Sequence, residues 1–406
     1  MMTTQQIVLT RSEAKGSPMR MAELVKVLST LKGDLANITA PPSFLAPSSV
    51  VENPRCWAER PAVFAAPALE SSPQKRSLLV LRMFLIGLRN QYYIAGGPNV
   101  SIKKPLNAFL GELFFAKYTD KAGVASAEVA AEQVSHHPPI TAIHVASREH
   151  GIRAEGYSRV EMTFSGSLNV RQTGHAVLHI DNYDEDHLLP LPTAQVRGFL
   201  STCLYPELWG TYKIVSSSGY ISEITFSGAG FLRGKKNYFE ARIFHKDDGR
   251  EKPLYVASGS WSKGWEVKDG VSGKIIEEYD VEAEENYPEP MQIADVKDQD
   301  PWESRRAWND VIQGVRESDW GRVSRAKHIV EEGQRQMRRD EKTTGVSWQP
   351  FLFESIPGEE HSVFHRLTEG INWHLSASET KGVWRLKDGA LDGLQTPFRG
   401  ALTPVG

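Results

Sequence analysis

Cysteine is nearly absent from the chain: only Cys56 and Cys203 occur in 406 residues. Two thiols cannot build a disulfide framework, and no CxxC pair offers a metal clip, so a reducing compartment fits. Long apolar runs are missing as well. The greasiest stretch, LLVLRMFLIGL at 78–88, is interrupted by Arg82 and falls short of the ~20 residues that a bilayer-spanning helix needs. The N-terminal MMTTQQIVLTRSEAKG lacks the apolar centre of a secretory signal, so the expected chain is cytoplasmic and touches membranes only peripherally. Positive charge is not in excess either. Lys and Arg number 47 against 50 Asp and Glu, a formal net charge of −3. No global basic field exists to hold nucleic acid, and an anionic ligand must be caught locally. GxSxG elbows, Walker loops, HExxH helices and paired-carboxylate patterns are also lacking.

What is present describes an ordinary globular protein, 40% hydrophobic and 24% charged. In SPMRMAELVKVLSTLKGDL, Ser17 can cap a helix, Pro18 suits its first position and Gly33 can end it. Met21, Leu24, Val25, Leu28 and Leu31 then form one apolar stripe, with Arg20, Glu23 and Lys26 outside. Such a helix either packs on its own core or acts as a flap that visits membrane surface. A second helix is predicted from about Ser77 to Tyr92, after the proline-rich APPSFLAPSS at 40–49.

From about 130 to 285 polar and apolar residues alternate as in strands. NYFEARIF puts Phe239, Ala241 and Ile243 on one face and Glu240 and Arg242 on the other. Turn signals at Ser165-Gly166, Ser218-Gly219, Asp247-Asp248-Gly249 and Lys268-Asp269-Gly270 cut this region into many short antiparallel strands. That number in one unit predicts a barrel or a large curved sheet, hollow or filled. A charged helical stretch follows from Pro301 to about Lys342, expected to break at Gly314 and Gly321. The aromatic-rich remainder reads as a strand-poor closing segment with a loose end. These switches divide the chain into 1–32, 33–128, 129–290, 291–345 and 346–406.

The most unusual string is EQVSHHPPIT, 132–141, in which His136 and His137 precede two prolines. Proline pushes His137 toward extended backbone and supplies no N–H, so the pair cannot sit inside a helix. A metal, a proton transfer or an anion held by two donors are the three chemistries to weigh. Zinc sites repeat on a helical face or tight turn, or recruit a nearby carboxylate or cysteine, and neither pattern occurs. Ser135 beside His136 does not make a nucleophile and base, because neighbours on an extended chain point apart. A zinc-dependent hydrolase is therefore the rival reading. Two other stretches favour the anion. KKPLNAFLGEL places Lys103 and Lys104 before a stiff proline and then Asn107, while in AKHIVEEGQRQ the residues Lys327, Glu331 and Arg335 recur every four positions on one helical face.

EQVSHHPP resembles the signature of the oxysterol-binding-protein-related family of lipid transfer proteins. KKPLNAFLGELF, GYSRVEMTFSGSL, FSGAGFLRGKKNYFEARIF, EEGQRQMRR and GVSWQP are similar to segments of that family's lipid domain, in the same order, across roughly 18–355. The resemblance implies an α+β fold: an incomplete antiparallel β-barrel around a lipid tunnel, an N-terminal helical lid and a C-terminal helical subdomain. It is nearest to short fungal members made of the lipid domain alone. It implies that His136, His137, Lys104, Asn107, Lys327, Glu331 and Arg335 grip the phosphates of phosphatidylinositol 4-phosphate. It implies further that Trp57, Gln91, Tyr92 and Gln172 line a sterol site in the same tunnel, under a lid formed by the Met21 to Leu31 stripe. The pattern departs at Ser158, where relatives carry asparagine after Gly-Tyr. Other members carry phosphatidylserine instead of sterol, and a phosphoinositide sensor that moves no lipid is a further alternative. The implied partners are sterol, phosphatidylinositol 4-phosphate and, transiently, anionic membranes. No cofactor, metal, nucleic acid, catalysis or stable protein partner is implied.

Overall fold

A computed structural model describes residues 21–405, apart from 37, 39, 96–99, 200–202 and 229–233. Ser17, Pro18 and Arg20 therefore lie outside the described residues. Helix α1 (Met21–Leu28) carries the predicted stripe but does not run on to Gly33. It stops at Leu28 because the hydroxyls of Ser29 and Thr30 turn back onto the carbonyls of Lys26 and Val27, at 2.8 and 2.7 Å.

A short strand, β1 (Leu45–Ser49), pairs in parallel with β2 (Lys104–Leu106). Between them lie α2 (Arg55–Ala58), α3 (Pro61–Leu69) and α4 (Pro73–Tyr92). The sequence pattern announced only α4, and that four residues late. Prolines hid the others, yet Pro61 and Pro73 each occupy the first turn of a helix, where a missing N–H costs nothing.

The body of the molecule is one antiparallel sheet of thirteen strands. They are β3 (Leu113–Thr119), β4 (Ser126–His136), β5 (Pro139–Ser147), β6 (Ile152–Phe164), β7 (Leu168–Ile180), β8 (Glu185–Leu189), β9 (Thr193–Arg197), β10 (Tyr205–Ser216), β11 (Tyr220–Ser227), β12 (Tyr238–His245), β13 (Tyr255–Ser260), β14 (Gly264–Asp269) and β15 (Ile275–Asp280). Strands pair in chain order, and β8 and β9 share one track between β7 and β10. Pro190 and Pro192 interrupt that track, since neither can donate to a ladder. The edge strands β3 and β15 do not meet, so the sheet is an incomplete barrel. Each predicted turn signal sits in a hairpin connection or at its rim. Phe239, Ala241 and Ile243 are buried and Glu240 is exposed, as the alternation required.

The interior is filled in one part and hollow in another. Helix α4 occupies the concave side, with Leu81, Phe84, Leu85 and Leu88 buried in the same core as Val129, Phe226 and Phe239. A second core lies on the other face of β4–β6, where Val134, Ile140 and Tyr157 meet Trp302, Trp308 and Val323. Strand β4 is consequently buried almost along its whole length, the polar Glu132, Gln133 and Ser135 included.

That second core belongs to α5 (Ser304–Ala307), α6 (Asn309–Glu317) and α7 (Trp320–Thr344). The breaks fall at Trp308 and at Ser318-Asp319, not at the expected glycines. Ser318 adopts a left-handed conformation and Asp319 caps α7 by accepting from the Arg322 amide at 2.9 Å. Gly314 instead lets α6 approach α7, since a Cβ there would come within 2.9 Å of Val323.

The closing segment is strand-poor as expected, with β16 (Phe353–Ile356), α8 (Ser362–Thr368) and β17 (Val383–Leu386). Its end is not loose. The Leu402 carbonyl accepts from the Trp302 indole at 2.9 Å, Phe398 stacks on Phe351, and Pro404 and Val405 cover Gly333 of α7. Glu132, the first residue of the histidine motif, anchors this segment. It is fully buried and accepts from the amides of Phe351 and Leu352, both at 2.7 Å, and from Arg399 at 3.4 Å. Replacing Glu132 with Ala strands those donors and should lower stability by about 3–5 kcal/mol, measured as a shift of the urea midpoint. An unchanged midpoint would mean the segment is fastened elsewhere.

Candidate functional site

The histidines occupy the tip of the β4–β5 hairpin. His136 faces Pro139 in the last ladder pair, and a register shift between Gln133 and Ser135 bends the strand just before it. Gln133 splints this bend: its amide donates to the Ser135 carbonyl at 2.9 Å and its oxygen accepts from Thr141 at 2.7 Å. The His137–Pro138 peptide is cis. The two imidazoles pack edge to face with centroids 4.6 Å apart, His136 half-buried and His137 exposed. Nδ1 of His136 donates to the Ala108 carbonyl at 3.0 Å. Ala108 follows Asn107 directly, so this bond fastens the hairpin to the KPLN loop and turns Nε2 outward.

Within that loop the Lys104 amine donates to the Asn107 side-chain oxygen and, at 3.5 Å, to the Ala36 carbonyl. Helix α7 brings the third part. Lys327 is 7% exposed and donates to Glu331 at 2.5 Å. Burial, with the Lys327 charge beside it, pushes the Lys104 amine down to about 7. Burial also drives His136 down to about 4, helped by the charges of His137 and Arg338 and opposed by the Ala108 carbonyl and Glu331. His137 is lowered by burial, Arg338 and Lys381. These shifts place the side chains of three distant segments in one field, a cationic cluster in which Glu331 is the carboxylate paired with Lys327.

Arg335 pairs with Glu332 at 2.9 Å and Glu331 at 3.6 Å. The arginine whose charge lowers both histidines is Arg338, which the four-residue spacing missed. Three full turns separate it from Lys327, so it lies only about 20° off that residue's face, against about 80° for Arg335. Lys381 was also missed, and no local pattern signals it. It arrives from the closing segment and donates to Ser135 Oγ at 3.0 Å.

Next to this cluster the protein encloses an apolar cavity of about 200 Å³. Leu24 and Leu28 of α1 cover it, Gln91, Tyr92 and Gln172 border it, and so does Lys104. Met21 and Val25 pack beside Leu24 against Phe199 and Leu204, whereas Leu31 lies past the helix end and outside that group. Trp57 is not part of the wall. Its indole lies over Gly87 of α4, where a Cβ would sit 3.0 Å from the ring. The polar side of the cavity is wired in one direction: Ser158 donates to Gln172 Oε1 at 3.2 Å, Gln172 donates to Tyr92 at 2.6 Å, and Tyr92 donates to the Pro192 carbonyl at 2.8 Å. Ser158, the departure from the family pattern, thereby fixes the Gln172 amide. Among the described residues no group of three or more His, Cys, Asp or Glu is arranged to hold a metal, and no helix is long and apolar enough to cross a membrane.

The family model of the oxysterol-binding protein matches residues 23–385. The chain is 43% identical over 385 residues to "Probable transporter efuK" of Hormonema carpetanum, covering 94% of this chain and 54% of that protein, so it spans about half of that relative's length. It is 36% identical over 332 residues to "Protein kes1" of Schizosaccharomyces pombe, covering 81% of this chain and 85% of the relative. Among solved structures, the Osh1 ORD domain in complex with cholesterol superposes with a TM-score of 0.68 at 19% identity, covering 96% of each chain. The Osh3 ORD from Saccharomyces cerevisiae in complex with PI(4)P gives 0.65 at 18% identity, covering 88% of this chain and 95% of that one. With a family model across nearly its whole length and the same sheet architecture, the chain belongs to the oxysterol-binding protein family.

Proposed function

We propose that this protein exchanges a sterol for phosphatidylinositol 4-phosphate between membranes, using one cavity for both. The observation that carries this reading is the position of Lys104, which belongs both to the cation cluster and to the wall of the apolar cavity. A lipid headgroup held by the cluster has its tails led straight into the interior. A sterol would fill the same space with its hydroxyl near Tyr92, so loading one releases the other. The solved neighbours described with cholesterol and with PI(4)P support the pairing.

The energetics fit. Each charge-assisted bond to a phosphate oxygen contributes about 1.5–3 kcal/mol, and each methylene moved from water into the cavity about 0.8 kcal/mol. Several of each offset the loss of headgroup hydration. No covalent step is required, and direction comes from the phosphoinositide gradient. Helix α1 acts as the lid, its stripe covering lipid when shut and meeting membrane when open.

The test is transfer between two liposome populations. The protein should move sterol and phosphatidylinositol 4-phosphate in opposite directions, each speeding the other. Alanine at both His136 and His137 should abolish phosphoinositide extraction and spare most sterol uptake. Extraction that survives in the double variant removes the histidines from the headgroup site, and transfer of phosphatidylserine in place of sterol corrects the second ligand.

The charge state supplies a second test. A bound phosphate favours the charged forms of Lys104 and His136, raising both from their depressed values of about 7 and about 4, so binding takes up protons. Affinity should therefore strengthen as pH falls from 9 to 7, at up to about tenfold per unit for one proton, and Lys104→Met should flatten the slope. Titration calorimetry in buffers of different ionisation enthalpy measures the uptake, and zero uptake would mean the amine is already charged.

For the lid, alanine at both Leu24 and Leu28 should hasten the escape of a fluorescent sterol. Retention equal to that of the native chain would give the lid role to another segment.

A further inference from the structure

We infer that the cavity has a side port, a gap in the sheet between β7 and β10 through which water leaves as a lipid enters by the mouth. The inference rests on the reading of this cavity as a lipid chamber and concerns how the chamber fills.

The gap follows from the strand pairing. Strand β7 meets β9 through 168–170 and β8 through 176–180, while β10 meets β9 through 205–209 and β8 through 215–216. Among the described residues, 171–175 of β7 and 210–214 of β10 therefore have no ladder partner on the sides that face 190–192. Pro190 and Pro192 have no N–H to offer there. Glycine marks both rims. Gly174 and Gly210 take φ of 137° and 100°, and a Cβ on Gly174 would sit 2.1 Å from the Tyr157 carbonyl oxygen.

Side chains close what the ladder leaves open. From β10, the Tyr212 ring lies against Gly210, and its hydroxyl accepts from the Thr193 amide at 2.8 Å and donates to the Trp209 carbonyl at 2.9 Å. From inside, Tyr92 and Gln172 both donate to the Pro192 carbonyl, at 2.8 and 3.2 Å. Water can replace such side-chain bonds one at a time. Parting a ladder elsewhere would break several backbone bonds together.

Two hollows meet at this place. Inside is the apolar cavity of about 200 Å³, with room for several waters. Outside, under the closing segment, lies a cleft of about 430 Å³ lined by Thr173, Leu191, Thr193, Tyr212 and Trp373. Gln172 borders both hollows. The cleft reaches solvent past Asn372 and His374, which are exposed.

A guest entering beneath α1 occupies the mouth, so water ahead of it is shut in. That water gathers at Tyr92 and Gln172, where the cavity offers hydrogen bonds, and it fills volume that the guest's methylenes would otherwise take. The gap opens at these same side chains, and the threonines beyond it offer partners along the way out.

The experiment plugs the port after the protein has folded. Leu191→Cys in a Cys203→Ser background is labelled with a bulky maleimide, and the rates at which a fluorescent sterol loads and escapes are followed by stopped flow. Both rates should fall by about tenfold while the sterol Kd stays unchanged, because a passage acts equally on the two directions. The same label at Val271→Cys, on a turn where the native residue is 91% exposed, should change neither rate. Tyr212→Phe, which releases the Thr193 amide, should speed both. Plugged rates equal to those of the Val271 control overturn the port and leave the lipid chamber standing. A shifted Kd makes the cleft a contact of the guest and overturns the port as well. A native protein that takes up neither sterol nor phosphoinositide overturns the chamber itself.

Discussion

The burial of the Lys104 amine beside an apolar cavity, with Lys327 nearby, is the constraint that the surrounding elements must hold in place. The two amines come from segments more than two hundred residues apart, yet the Lys327 charge adds to the burial that lowers Lys104. A fold adopts such an arrangement only if much larger contributions hold both segments in place. Here they are the β4–β5 hairpin splinted by Gln133, the Ala108 carbonyl that clasps His136, and the aromatic core that fixes α7.

The helices and the cavity answer the same need from the other side. A sheet of thirteen strands could close and fill with side chains, but its edges stay apart and α4 takes only part of the concave face. The remaining space abuts the cation cluster. An apolar hollow raises the strength of any charge beside it by excluding water, so hollow and cluster reinforce each other.

Much of this was legible in the chain. Alternation in NYFEARIF and the turn signals at Ser218-Gly219 and Asp247-Asp248-Gly249 gave the antiparallel sheet, because those residues act over two or three positions. The motif residues of EQVSHHPP and KKPLN meet at one rim, as the donors in each suggested. The failures share a cause. Helices α2 and α3 were hidden by prolines: Pro54 directly precedes α2, and α3 carries Pro61 in its first turn and Pro67 inside. Gly314 and Gly321 looked like breaks, yet the packing of α6 on α7 uses the missing Cβ at Gly314. Trp57 sits over Gly87 because α2 crosses α4, a geometry no local pattern encodes. Arg338 was within reach of helical arithmetic, since eleven residues make three turns, whereas Lys381 depends on the closing segment folding back over β4 to β6. Glu132 was read only as part of a motif, and it turns out to be what fastens that segment.

Pro190 and Pro192 give the cavity one further property. By removing two donors from the track shared by β8 and β9, they leave the wall beside Tyr92 stitched by the side chains of Ser158, Gln172 and Tyr92 instead of by a ladder. The wall is thus held by side chains at this one place and by strand ladders to either side of it, in the same cavity that Lys104 borders.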